Sequence, residues 1–179
     1  VGFLDQGHGA QAAVTAPPGN DAAKVTMRGL REEDFADISS RVDEWWGRPV
    51  RGSLLRLFFE HFRPMSHVAE HDGGIVGFIV GFHSQSDPSV AYAHFIAVRP
   101  EGRRSGIGRA LYDRFFDDAR QRGCTAVEAI TAPINTRSVA FHKELGFSVL
   151  PGGAVVEGVA VSVDHEGPGQ HRVRMRREL

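Results

Sequence analysis

One short run concentrates the potential for chemistry: Arg103-Arg104-Ser105-Gly106-Ile107-Gly108-Arg109. Two glycines two positions apart let a backbone approach a ligand closely and let successive N–H groups point the same way. The run lies between a strand-like stretch, Ala91–Val98, and an amphipathic helix. In that helix Leu111, Phe115, Ala119 and Arg122 recur at helical spacing and Phe116 widens the apolar face. The same N–H groups therefore open a helix, whose dipole favours an anion, and the three arginines add full positive charge. A diphosphate is the ligand that suits these features. A Walker loop is excluded because G-x-x-x-x-G-K-[ST] needs a lysine. A dinucleotide fingerprint is excluded because the run ends in Ala110-Leu111, with no acidic ribose ligand on a following parallel strand. The bland reading is a glycine-containing strand-to-helix connection with a basic surface.

Arg103-x-x-Gly106-x-Gly108 resembles the Q/R-x-x-G-x-G/A signature of the GCN5-related N-acetyltransferase (GNAT) family. Asn135-Thr136-Arg137-Ser138-Val139-Ala140-Phe141-His142-Lys143-Glu144-Leu145-Gly146-Phe147 resembles the same family's N-x-x-[AS]-x-x-[FL]-[YH]-x-x-x-G-F. The resemblance implies an α/β (α+β) domain with a mixed, mostly antiparallel sheet of about seven strands, flanked by about four helices. It implies acetyl-CoA as co-substrate, no metal, and direct acetyl transfer to a primary amine. Acetyl-CoA would lie on Arg103, Arg104, Ser105, Gly106, Ile107, Gly108 and Arg109 by its pyrophosphate. Its pantetheine would lie along Ile96, Ala97 and Val98, where the sheet splays. The Ile96 N–H would polarise the thioester carbonyl. Asn135 would bond the pantetheine amide, or serve only as a helix cap.

Acetyl transfer to an amine needs a neutral nucleophile and hence a base. His94 and Glu128 are the candidates; Ile130 stands where many family members carry an acid. Seven residues after Asn135, where the family usually has a tyrosine to protonate the leaving thiolate, this chain has His142. Either His142 is the acid or the thiolate departs unaided. Cys124 lies at a strand start beside no visible base, which argues against a covalent acetyl-cysteine route. Trp45 and Trp46, next to Asp43 and Glu44, form either a packed corner or an aromatic wall that recruits a cationic amine. Tyr92 and Asp164 complete the acceptor candidates. Asp164 opens an Asp-His-Glu-Gly-Pro-Gly turn that resembles a segment of a bacterial subgroup of small-molecule acetyltransferases.

Positioning these residues requires a definite order of elements. Val25–Arg31 reads as a strand and Glu32–Asp34 opens a helix with Phe35, Ile38 and Val42 inward. Leu54, Leu55, Leu57, Phe58, Phe59 and Phe62 read as the core stripe of a second helix. Asp72-Gly73 joins strands 66–70 and 75–83 in a hairpin. Alternation along 91–98 puts Tyr92, His94, Ile96 and Val98 on one face and Ala93, Phe95 and Ala97 on the other. Strands are expected at 124–131, 148–150 and 171–177, with a long connection between the last two folding over the acceptor end of the cleft.

Composition bounds the rest. A chain of 179 residues with 41% hydrophobic and 24% charged residues suits one globular domain, assigned to 24–179. Residues 1–23, rich in Gly, Ala, Gln, Pro and Thr, read as a flexible extension, with Met27 as an alternative start. A net charge of -1 argues against a nucleic-acid partner. Apolar runs are too short for a membrane span, and the start lacks the pattern of a secretory signal. One cysteine allows no internal disulfide, so the expected setting is cytoplasmic. The expected partner is a small-molecule amine, and the expected state monomer or homodimer. Two other readings stay open: a protein or peptide acetyltransferase with an open groove, and a non-catalytic acetyl-CoA sensor.

Overall fold

The computed structural model describes Val25–Leu179; the extension expected over 1–23 lies outside the described residues. Seven strands form one sheet in the order β1-β2-β3-β4-β5-β9-β6. These are β1 (Thr26–Gly29), β2 (His67–His71), β3 (Gly74–His83), β4 (Val90–Val98), β5 (Ala126–Thr131), β6 (Ser148–Val149) and β9 (Val173–Glu178). All neighbours are antiparallel except β4 and β5. The expected strand order and mixed sheet are what the structure has.

Helices α3 (Ile107–Gln121) and α4 (Thr136–Glu144) cover one face, over a core that includes Ile79, Leu111, Tyr112, Phe115 and Met175. The close fit of α3 depends on Gly81: a Cβ there would lie 2.3 Å from Phe115, so that ring sits on bare β3 backbone. Helices α1 (Asp34–Trp46) and α2 (Arg56–His61) cover the β1–β4 half of the other face, around Ile38, Val42, Phe59, Phe78 and Phe95. The entry into α1 is explained by Arg28, whose guanidinium grips both carboxylate oxygens of Asp34 at 2.8 Å. The Arg31 N–H donates to the same carboxylate at 2.8 Å, so the Arg28-x-Leu30-Arg31-x-x-Asp34 spacing locks a strand to a helix start.

Two expectations need correction, and the long connection gains detail. The second helix is only six residues, set between two short 3-10 turns, and its stripe is not all core: Leu55 and Leu57 are exposed while Phe58 and Phe62 are half-buried. The connection between β6 and β9 contains its own hairpin, β7 (Ala154–Val156) with β8 (Val159–Val161). A bridge from Ser162 to Arg172 then closes the base of the 163–171 loop. Most consequential, the strict alternation along β4 fails. Val80 pairs with Phe95 and Gly81 with Ala93, so His94 is the extra residue of a β-bulge. Ala93, Ile96 and Val98 pack toward α3, whereas Tyr92, His94, Phe95 and Ala97 share the α1/α2 side. No helix among the described residues is long and apolar enough to cross a membrane.

Candidate active site

Strands β4 and β5 part where the bulge lies. Their parallel pairing runs only from Val90–Ala126 to Ala93–Ala129. Beyond it β4 pairs with β3 alone, and Ile130 and Thr131 pair with β9 alone. A V-shaped opening results, with His94 and Ile130 at its vertex. Arg99 N–H donates to the Val76 carbonyl at 2.9 Å, and the register runs from Gly77–Val98 to Val80–Phe95. Because amides alternate along a strand, those of Phe95 and Ala97 face β3 while those of Ile96 and Val98 face the V. Ala97 thus offers the opening no N–H.

The open end of the V leads to the loop before α3. None of the amides from Arg104 to Arg109 donates to another group among the described residues. Arg104 and Gly106 take left-handed conformations (φ 65° and 88°) that turn the loop into the helix. The two glycines serve different ends. At Gly106 a side chain would meet nothing but would strain the backbone; at Gly108 a Cβ would press on Phe141 of α4 at 3.1 Å. Six unspent N–H groups at a helix start form a cradle for an oxyanion-rich group. Ser105 Oγ closes the loop on the Gly102 carbonyl at 2.6 Å, and Arg103 reaches to the Trp45 carbonyl at the end of α1. Arg109 bonds the last turn of α4 at the Glu144 carbonyl, 3.3 Å away.

At the vertex the His94 ring lies 4.3 Å from Phe58, 4.5 Å from Phe95 and 6.1 Å from Tyr92, centroid to centroid. Burial among these rings lowers its pKa from the ordinary histidine value, partly offset by the Glu166 carboxylate. Burial thus favours the neutral form of the ring. Burial pushes the Tyr92 hydroxyl up to about 12, with Glu166 and Glu128 acting the same way and Arg174 and Arg172 opposing them. A cleft of ≈ 250 Å³ beside Tyr92 is lined by Phe82, Ser84, Asp87, Val90 and Glu128.

The other candidate residues have definite places. Glu128 faces the cleft, but its Oε1 accepts from Arg176 at 3.0 Å. His142 is buried in α4, and both ring nitrogens are engaged: Nδ1 with the Ser138 carbonyl and Nε2 with the Tyr112 hydroxyl, each at 2.7 Å. Asn135 caps α4 by accepting from Ser138 N–H at 3.2 Å. Trp45 is core, packed on Phe78, while half-buried Trp46 packs on Phe95 near the vertex. Asp43 holds that corner by accepting from the Val50 and Arg51 amides, both at 2.7 Å. Asp164 turns its own loop, accepting from Gly169 N–H at 2.7 Å. Its loop mate Glu166, expected only as part of the same turn and not as a site residue, pairs with Arg172 at 2.5 Å and contributes its charge at the vertex. Phe58 and Phe82 were likewise missed, because a helix stripe and a strand residue give no hint that they flank a histidine across the sheet. No group of three or more His, Cys, Asp or Glu among the described residues could hold a metal ion.

Comparison with known proteins agrees with this geometry. Residues 28–147 match the model of the Acetyltransferase (GNAT) family. The L-2,4-diaminobutyric acid acetyltransferase of Nocardia farcinica is 34% identical over 129 residues, covering 72% of this chain and 61% of that protein. The mycothiol acetyltransferase of Pseudarthrobacter chlorophenolicus is 29% identical over 120 residues, covering 63% of this chain and 32% of that protein. The chain thus spans under two thirds of the length of either relative. A likeness of fold extends to the structure of diaminobutyrate acetyltransferase EctA from Paenibacillus lautus in complex with its substrate and coenzyme A. There the TM-score is 0.63 at 20% identity, over 87% of this chain and 96% of that one. With the splayed sheet, the amide cradle and both motifs inside the matched span, the chain belongs to the GNAT acetyltransferase family.

Proposed function

We propose that this protein is an acetyl-CoA-dependent N-acetyltransferase that acts directly on a primary amine of a small molecule. The V between β4 and β5 carries the reading: it has inward amides at Ile96 and Val98, at its vertex a histidine whose burial favours the neutral form, and six unspent amides at its mouth. Acetyl-CoA, when bound, supplies an activated acetyl thioester. The amides of Arg104–Arg109 and the charge of Arg104 would hold its pyrophosphate, and the Ile96 and Val98 amides would hold its pantetheine arm.

His94 is the base in this reading. Its neutral ring accepts the proton of the incoming ammonium, and the nearby Glu166 carboxylate stabilises the imidazolium that results. The Ile96 N–H points to where negative charge develops on the carbonyl oxygen. Glu128, already bonded to Arg176, is left as a cleft residue. His142 holds α4 against α3 and donates no proton; the leaving thiolate departs unaided. Relatives named for diaminobutyric acid and mycothiol support a small acceptor, as does the loop closed by the Ser162–Arg172 bridge beside the cleft.

The test is acetyl-CoA consumption, read by mass spectrometry, with pooled small amines and pooled peptides, for wild type and His94→Ala. The expected result is acetylated product from the small-amine pool, with a loss of about 100-fold or more in the variant at undiminished acetyl-CoA binding. Product only from peptides moves the acceptor to a protein. Tight acetyl-CoA binding with no product identifies a sensor, and no binding overturns the reading.

A further inference from the structure

The last strand aligns three guanidiniums on the sheet face that carries Tyr92. On β9, Val173 and Met175 are buried toward α3, so Arg174 and Arg176, with Arg172 just before them, turn to the opposite side. The outer two are committed: Arg172 to Glu166 at 2.5 Å and Gln170 at 3.2 Å, Arg176 to Glu178 at 2.7 Å and Glu128 at 3.0 Å. The Arg174 guanidinium, unlike its backbone, makes no hydrogen bond among the described residues. Its nearest carboxylate oxygen, on Glu128, stands 3.9 Å away and belongs to a group already bonded to Arg176. A third like charge flanked by two others has an unspent set of planar donors.

Register fixes where those donors lie. Pairing of β4 with β5 ends at Ala93–Ala129, so His94 and Ile130 are the next residue on each strand, and Ile130 pairs with Arg174. His94 and Arg174 therefore flank the vertex on the same face, one paired strand spacing plus the opening of the V apart, at least about 10 Å of backbone. Both side chains can lean toward the space over Ile130, beside the Tyr92 cleft.

Building on the acetyltransferase reading, we propose that the acceptor is an amino acid whose carboxylate is gripped by Arg174 while its reacting amine is presented to His94. A bidentate guanidinium–carboxylate pair would fix the acceptor's orientation. Specificity would follow from the same contact, because an amine without the carboxylate leaves the guanidinium unanswered.

The experiment compares amino acids with their decarboxylated amines as acceptors: diaminobutyrate with diaminopropane, ornithine with putrescine, lysine with cadaverine, phenylalanine with phenethylamine. Wild type, Arg174→Gln and Arg174→Lys are assayed for kcat and KM. The expected result is that wild type favours the carboxylated member of its best pair, and that Arg174→Gln cuts this preference by about 10- to 100-fold through the amino acid's KM. Arg174→Lys should fall between. A wild type that prefers the plain amine, or an Arg174→Gln loss equal for both members, overturns the proposal while leaving the acetyltransferase intact. Absence of turnover with every one of these compounds overturns this proposal, and the acetyltransferase reading itself falls only if the pooled small-amine and peptide assay also gives no product.

Discussion

The hydroxyl of Tyr112 donates to Nε2 of His142 across the packed interface of α3 and α4, at 2.7 Å. The direction is dictated by the other nitrogen: the Ser138 carbonyl can only accept, so Nδ1 carries the proton and Nε2 has only a lone pair to offer. Removing the hydroxyl leaves a buried acceptor unanswered. Tyr112→Phe should therefore lower unfolding free energy by about 1–3 kcal/mol in chemical denaturation, with a smaller proportional effect on kcat. A collapse of kcat at unchanged stability would return a proton-transfer role to this pair.

Burial also lowers the pKa of His142, against the favourable bond to the Ser138 carbonyl. With its folded pKa below the unfolded value of about 6.5, the unfolded chain binds a proton that the folded chain refuses. Stability from this group is present above about pH 6.5 and is lost as pH falls below it toward the folded pKa. Denaturation midpoints measured from pH 8 down to pH 5 should fall, and His142→Gln should flatten that fall.

His94 gives a different pH signature, in rate. A base works only when deprotonated, so kcat/KM should decline as pH drops through a pKa lower than the ordinary histidine value, since burial depresses it. His94→Gln should remove that limb of the profile. Glu166→Gln removes the carboxylate that favours the imidazolium, and should move the limb to lower pH. Pre-steady-state rates, taken before product release, are the measurement to use.

Gly106 and Gly108 separate conformation from space. Gly106→Ala puts a methyl into open space but at φ 88°, so the loop should relax and its amides misalign. Acetyl-CoA binding should weaken by about tenfold, with a stability loss near 1 kcal/mol. Gly108→Ala keeps an ordinary helical conformation and instead presses Phe141 away at 3.1 Å, so it should act mainly on stability. Calorimetric binding alongside thermal melts distinguishes the two.

Gly81→Ala tests the seat of α3. Its Cβ would fall 2.3 Å from Phe115 and 2.9 Å from the Tyr92 carbonyl, and the second of these is backbone that cannot swing aside. A loss of about 3 kcal/mol is expected. Because Gly81 pairs with Ala93 beside the bulge, the variant that still folds should also show a lower kcat.

The ligand loop was legible because its signals are local, whereas the opening of the sheet followed only from the family resemblance. A strand-like run, two glycines two positions apart and three arginines all fall within Ala91–Leu111. The hairpin at Asp72-Gly73 followed from short-range turn chemistry in the same way. His94 was visible as a residue type on the right strand, but not its setting: one extra position on β4 turns it from the Ile96 face to the Phe95 face, and nothing in the alternation announces a bulge.

What the sequence by itself determined was the family and the strand–loop–helix that suits a diphosphate; it left His94 and Glu128 both open as the base. The tertiary structure decided which charged residues meet. Glu166 and Arg174 come from the far end of the chain to a vertex formed by β4 and β5, through the insertion of β9 between β5 and β6. Likewise the commitment of His142 to Tyr112, thirty positions away, is a fact of how α3 packs on α4. Hydrophobic periodicity specifies which face of an element is buried, but pairing across the sheet depends on register and topology. A polar side chain's partners are therefore set only when distant strands are brought side by side.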